Sequence, residues 1–250
     1  MPDDASCDRT ETDCHIARSP TSNRLMDLHI AGLWRYPVKS LAGEPLSMVR
    51  LAPDGIPGDR IVRVRGPEGV RTSRRQFRML GLRGTLDSEG FPRINGHAWN
   101  SPEALALIRS AAGADAWLEP WSGPDRFDIL PLLVATDGAV AAFGRDIRRL
   151  RPNIVIGGVE GLAERGWPGS ELHLGEAIVR LESLRGRCHM TTVDPDTLDV
   201  NPGVLRDIVR RFDGKLALDA EIVRGGEIRI GDPVTLVRRS CIDRVDRDTP

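Results

Sequence analysis

From residue 28 onward the chain alternates short apolar runs with turn residues. Runs at 28–36, 47–51, 61–65 and 79–86 have the length and composition of strands. Pro37, Pro53-Asp54-Gly55, Pro57-Gly58, Gly66-Pro67 and Ser88-Glu89-Gly90 punctuate them. The pattern resumes at 153–156, 171–174, 177–182 and 216–222. Val223 to Ile228, with Gly225-Gly226 at its centre, reads as a hairpin, because paired glycines tolerate the positive φ of a tight primed turn. Gly231-Asp232-Pro233 precedes a last strand at 234–237. So many short strands with Gly/Pro breaks predict a mainly β fold, a curved sheet or β-barrel with a few helices.

Two segments carry a clear helical signal. Ser101-Pro102-Glu103 offers an N-cap, a proline at the first helical position and an acid in the first turn, and Gly113 supplies the stop. Asn201-Pro202 opens the second, where Val204, Leu205, Ile208, Val209 and Phe212 form a helical stripe closed by Asp213-Gly214. A weaker pattern covers 137–149. Residues 1–26 are short of aromatic and branched aliphatic side chains, which predicts a disordered tail. Residues 239–250 read as a second, frayed one. A soft boundary near 116–123 divides the rest into an N-terminal β region, 27–117, and a second domain, 118–238.

The length of 250 residues suits one large domain or two small ones. Net charge is −1, which argues against a nucleic-acid or membrane-surface partner. No apolar run approaches the roughly 18 residues of a membrane span, and the polar start does not read as a signal peptide. The expectation is a soluble cytoplasmic protein. Cys7, Cys14, Cys188 and Cys241 are too scattered for a disulfide framework. Cys7, Cys14 and His15 lack the spacing and fourth ligand of a metal site. Of the 35 basic residues only Lys39 and Lys215 are lysines, so 33 are arginines. A GC-rich genome would account for that bias without any function.

Three clusters have the residue types for chemistry. Cys188 follows a strand in Leu184-Arg185-Gly186-Arg187-Cys188-His189-Met190. Its arginine neighbours would stabilise a thiolate, the form that binds metals, although a cysteine that merely packs fits as well. His189 is a poor general base for it, since neighbours on an extended segment face opposite ways. Tyr36-Pro37-Val38-Lys39-Ser40, with Gly58-Asp59-Arg60 twenty residues on, offers ammonium, hydroxyl and guanidinium donors for a phosphate, or simply a solvated strand end. Arg148-Arg149-Leu150-Arg151-Pro152-Asn153 sets Arg151 and Asn153 two apart, so on extended backbone they address one ligand together. Walker-type, dinucleotide and CxxC patterns are lacking. Asp194-Pro195-Asp196 suits an ordinary turn.

The order of YPVKSLAGE, GIPGDR, RPNIVI, RCHMTTVDPDT and EIVRGGEIRIGDPV resembles the MOSC family, the homologues of the molybdenum cofactor sulfurase C-terminal domain, over roughly residues 27–238. The resemblance implies a β-barrel around a molybdenum cofactor (molybdopterin) site. In the family's molybdoenzyme branch, which includes the mitochondrial amidoxime-reducing component and bacterial hydroxylaminopurine-reducing relatives, a cysteine thiolate ligates molybdenum. Cys188 holds that position as catalytic and metal-binding residue. By the same likeness Lys39, Ser40 and Arg60 would hold the cofactor's terminal phosphate, Arg151 and Asn153 would contact the pterin, and Thr191, Thr192 and Asp194 would complete the cofactor-binding set. The implied activity is an oxidoreductase reducing N-hydroxylated compounds. A sulfur carrier with a persulfide on Cys188 and a non-catalytic cofactor-binding module are the alternatives.

Departures from the family pattern accompany the likeness. Arg-Gly-Arg precedes Cys188 where relatives often carry a second cysteine, and Gly138-Ala139 stands where relatives place a serine. No ferredoxin-like cysteine segment follows Val237, so electrons would come from a separate partner protein. With Lys39 in the phosphate cluster and Lys215 after a helix-ending glycine, no pyridoxal phosphate Schiff base is expected.

Overall fold

A computed structural model describes residues 27–238. Both expected tails lie outside the described residues, and Cys7, Cys14, His15 and Cys241 with them. The class is mainly β. One eight-stranded sheet runs in the order Val234–Val237, Glu171–Leu174, Ala177–Gly186, Lys215–Arg224, Leu132–Thr136, Ile154–Gly157, His29–Arg35, Glu44–Leu46. Its neighbours pair antiparallel except Leu132–Thr136 with Ile154–Gly157, which are parallel. That parallel step requires a crossover, and helix α2, Asp137–Phe143, lies within it.

Side chains alternate across these strands, so Ile30, Leu132, Val134, Ile154, Ile156, Leu172, Leu181 and Leu218 share one core with the fully buried Trp167. Three register shifts between Ala177–Gly186 and Lys215–Arg224, and one in His29–Arg35, bend the sheet. The expected barrel is corrected here. The sheet curls but does not close into a continuous ladder. Its ends approach through a single bridge, His29 with Pro233, and three backbone bonds: Ile30 N–H to Asp232 O, Gly231 N–H to Ile30 O and Val234 N–H to Leu28 O.

Three small sheets accompany it: Met48–Leu51 with Gly226–Arg229; Gly69–Arg71, Val62–Gly66 and Trp117–Pro120; and Gly84–Leu86, Pro92–Ile94 and His97–Ala98. Helix α1, Pro102–Ala112, covers the latter two with Ala104 and Ile108. Its Ser101 side chain accepts from the Ala104 N–H, as the sequence signal implied. Helix α3, Pro202–Phe212, packs Val204, Ile208 and Phe212 against α2 and Leu150.

Three expectations need revision. Residues 79–86 are not one strand, because the 3₁₀ turn Phe77–Gly81 buries Met79 before Gly84–Leu86 begins. Asp137 onward is helical only to Phe143, where Gly144 adopts a left-handed conformation. The expected glycine hairpin is absent too: Gly226–Arg229 leaves its predecessor and pairs with Met48–Leu51. Gly225 and Gly226 are needed for close approach instead. Added Cβ atoms would meet Leu51 O at 2.5 Å and Glu176 Cβ at 2.6 Å.

Candidate functional site

Loops from four places converge on one side of the curved sheet. Lys39 and Ser40 follow His29–Arg35, Arg60 precedes Val62–Gly66, Arg151 and Asn153 precede Ile154–Gly157, and Cys188 follows Ala177–Gly186. Three cavities open between them. The first, about 40 Å³, is lined by Lys39, Ser40, Arg60, Thr72, Arg74, Asp128, Arg151 and Met190. The second, about 150 Å³, holds Cys188 with Arg60, Arg74, Asp128, Arg151, Asn153, Arg185 and Arg187 among its walls. The third, about 360 Å³, is more apolar, with Trp34, Tyr36, Pro45, Leu80, Met190 and Val193. Arg151 and Met190 line all three, so the cavities adjoin.

Asp59 anchors this arrangement. Fully buried, it accepts the Tyr36 N–H on Oδ1 at 2.6 Å, and on Oδ2 the Arg60 guanidinium and Asn153 Nδ2, the latter at 3.4 Å. Tyr36 in turn donates from its hydroxyl to the Pro152 carbonyl at 3.0 Å. Burial pushes its pKa up to about 12 against the opposing pull of Arg151, so it stays protonated. Arg151 stacks 4.3 Å from the Tyr36 ring centroid, and Arg60 5.3 Å from it. Ser40, Arg60 and Arg151 all take the left-handed conformation, with φ of 73°, 54° and 57°.

The thiol lies among cations. Arg185 donates to the buried Asp219 carboxylate at 2.6 Å, and Arg187 to the Leu150 carbonyl at 2.7 Å. Arg187 keeps a buried Nε without a hydrogen-bond partner. Burial, then Arg185, lowers its pKa to about 10. A buried guanidinium with a spare donor favours an anion beside it. Burial likewise lowers the pKa of Arg151.

The candidate residues divide into two groups. Lys39, Ser40, Arg60, Arg151, Asn153 and Cys188 line the first two cavities. Asn153 lies there as a brace, however: its Oδ1 accepts from Leu133 N–H and its Nδ2 donates to Trp34 O and Asp59. Thr191, Thr192 and Asp194 line none of these three cavities. Thr191 and Thr192 donate back to the Cys188 and His189 carbonyls at 2.8 and 2.7 Å, shaping the turn His189–Thr192. Asp194 accepts from the Asp196 and Thr197 N–H groups and from Arg149. Those contacts hold its carboxyl below the usual range. Arg74 and Asp128 line both inner cavities but carry no sequence motif.

Gly138, where the family pattern has a serine, leaves no room for one. An added Cβ would lie 2.3 Å from Val159 O and 2.4 Å from Gly161 O.

Residues 135–235 match the MOSC domain family. Human mitochondrial amidoxime-reducing component 1 is 25% identical over 280 residues, covering 83% of this chain and 82% of that protein. Mitochondrial amidoxime reducing component 2 of Macaca fascicularis is 29% identical over 128 residues, 43% of this chain and 37% of that protein. Among solved structures, the YUAD protein from Bacillus subtilis superposes with a TM-score of 0.48 at 14% identity, over 85% of this chain and 97% of that one.

Proposed function

We propose that this chain, whose residues 135–235 match the MOSC domain family and which is similar to an amidoxime-reducing component, binds the molybdenum cofactor and reduces N-hydroxylated compounds with electrons from a separate donor protein. The observation that carries the reading is the shared wall. A thiol and a cluster of Lys39, Ser40, Arg60 and Arg74 open into adjoining cavities with Arg151 between them.

The donor set fits such a group. A thiolate is a soft ligand suited to a heavy transition metal, and ammonium, guanidinium and hydroxyl donors suit a phosphate. Cys188 would hold the metal, and Lys39, Ser40, Arg60 and Arg74 would hold the phosphate. Arg151, stacked on Tyr36, would face the pterin. When bound, the cofactor would supply a two-electron redox centre for removing the oxygen of an N-hydroxyl group.

The protein's own residues bind and orient. Arg185 and Arg187 line the same cavity as Cys188 and give it positively charged walls. Asp59 fixes Arg60 and, through the Tyr36 N–H, the start of the Lys39–Ser40 loop. Thr191 and Thr192 fix the backbone that presents Cys188. The apolar cavity beside Met190 gives a small organic substrate a place to dock.

The test is metal and pterin analysis of protein purified from a host that makes the cofactor, with a reductase assay on an N-hydroxylamine. Near-stoichiometric molybdenum is expected, lost in Cys188→Ala together with activity. A Cys188→Ala protein that keeps both, or a wild type carrying persulfide on Cys188 without molybdenum, would overturn the reading; the second result would make the chain a sulfur carrier.

A further inference from the structure

Asp128 stands in the middle of the cation cluster read above as a phosphate cradle. Lys39 Nζ lies 3.2 Å from its Oδ1, and Arg74 Nη2 3.1 Å from its Oδ2. Its carboxyl feels burial, which raises the pKa, but Lys39, Arg74 and Arg60 outweigh that and hold it ionised. Two of the cradle's three cations are thus engaged by this carboxylate, while Arg60 is engaged by Asp59. An incoming anion that needs Lys39 and Arg74 meets an occupant of the same charge sign.

The two carboxylates are held differently. Asp59 is fully buried and has three donors from the surrounding framework. Asp128 keeps a side chain 41% exposed and sits on the connection between Trp117–Pro120 and Leu132–Thr136. Its neighbours on that connection have anchors of their own, besides the Lys39 ammonium, which also donates to the Arg126 carbonyl at 2.8 Å. Arg126 is nearly buried and donates to the Asp54 carbonyl and carboxylate at 2.7 Å, and Phe127 lies beneath the Arg60 and Arg126 guanidiniums. Asp128 can therefore swing out on its own side-chain torsions while Arg126 and Phe127 keep the connection in place.

We propose that Asp128 is a displaceable internal counter-ion that sets the minimum charge of the anion this cradle accepts. The inference rests on reading the cluster as a phosphate site. A monoanion replacing Asp128 gains no net attraction over the carboxylate it expels. A phosphate dianion gains one further charge and the Ser40 hydroxyl, so only the dianionic class is admitted. Asp128 also keeps the cations apart from one another's repulsion before the ligand arrives, and Arg74 becomes a phosphate donor once released.

The test uses the whole chain and inorganic ions as probes. Calorimetric titration with phosphate is expected to show weak binding to the wild type and about tenfold tighter binding to Asp128→Asn, an isosteric change that removes one negative charge. Nitrate is expected to bind Asp128→Asn detectably and the wild type not at all. Equal phosphate affinity in both proteins, or nitrate binding to the wild type, would overturn the counter-ion role and leave the cradle standing. Phosphate binding to neither protein would overturn both. Molybdenum content is measured separately, so loss of the redox assignment is distinguishable from loss of this one.

Discussion

Glu164 and Arg187 are ionisable groups carried into low dielectric, and burial moves each toward its neutral form. Glu164 has no exposed surface, one carboxyl oxygen without a partner and the other 3.3 Å from the Thr136 hydroxyl, beside the start of α2. Burial raises its pKa above the ordinary carboxylate value. Because the folded-state value is the higher one, its contribution to stability is complete at pH below the unfolded pKa and is lost as pH rises through the folded one. Glu164→Gln is therefore expected to melt higher than wild type at pH 7, with the gap closing near pH 4; thermal denaturation at several pH values would check it. Wild type melting as high as the variant at pH 7 would refute it. At this scale, the grouping of Lys39, Ser40, Arg60, Arg151 and Cys188 along adjoining cavities was legible because motif chemistry survives in short strings. Arg74 and Asp128 were not, since their pairing spans 54 residues and each looks like ordinary surface charge. Thr191, Thr192 and Asp194 bond the backbone beside them, as hydroxyls and a carboxylate in a tight turn do.

Elements were legible where capping chemistry marks them. Ser101 and Asn201 both cap as their sequences imply, accepting from the Ala104 and Gly203 N–H groups. The strand Leu132–Thr136 escaped attention because it is buried on both faces and shows no alternation. Gly225-Gly226 misled for a different reason: sequence shows that glycine is required, not whether conformation or space requires it. Gly138 is the second such case. Gly138→Ala would push a methyl into the Val159 and Gly161 carbonyls, and a loss of about 2–3 kcal/mol is expected in urea denaturation, more than the gain in helix propensity returns. An unchanged midpoint would contradict the packing described for α2.

The molecule as a whole is interlaced. The strand His29–Arg35 completes a sheet made mostly of residues beyond 131, and Met48–Leu51 pairs with Gly226–Arg229. Neither half can bury its core without the other, so one cooperative transition is expected, with far-UV circular dichroism and tryptophan fluorescence coinciding in denaturant. Separated transitions would show two independent units. That interlacing also supports the three side chains with left-handed backbones around the site. Each of Ser40, Arg60 and Arg151 holds a conformation that costs a non-glycine residue about 1 kcal/mol. Selection for heat resistance alone would thus drift toward glycine at positions 40, 60 and 151. A variant such as Ser40→Gly should melt higher and hold phosphate less well, and thermostability screens run without a binding assay would discard the very donors that make the pocket useful.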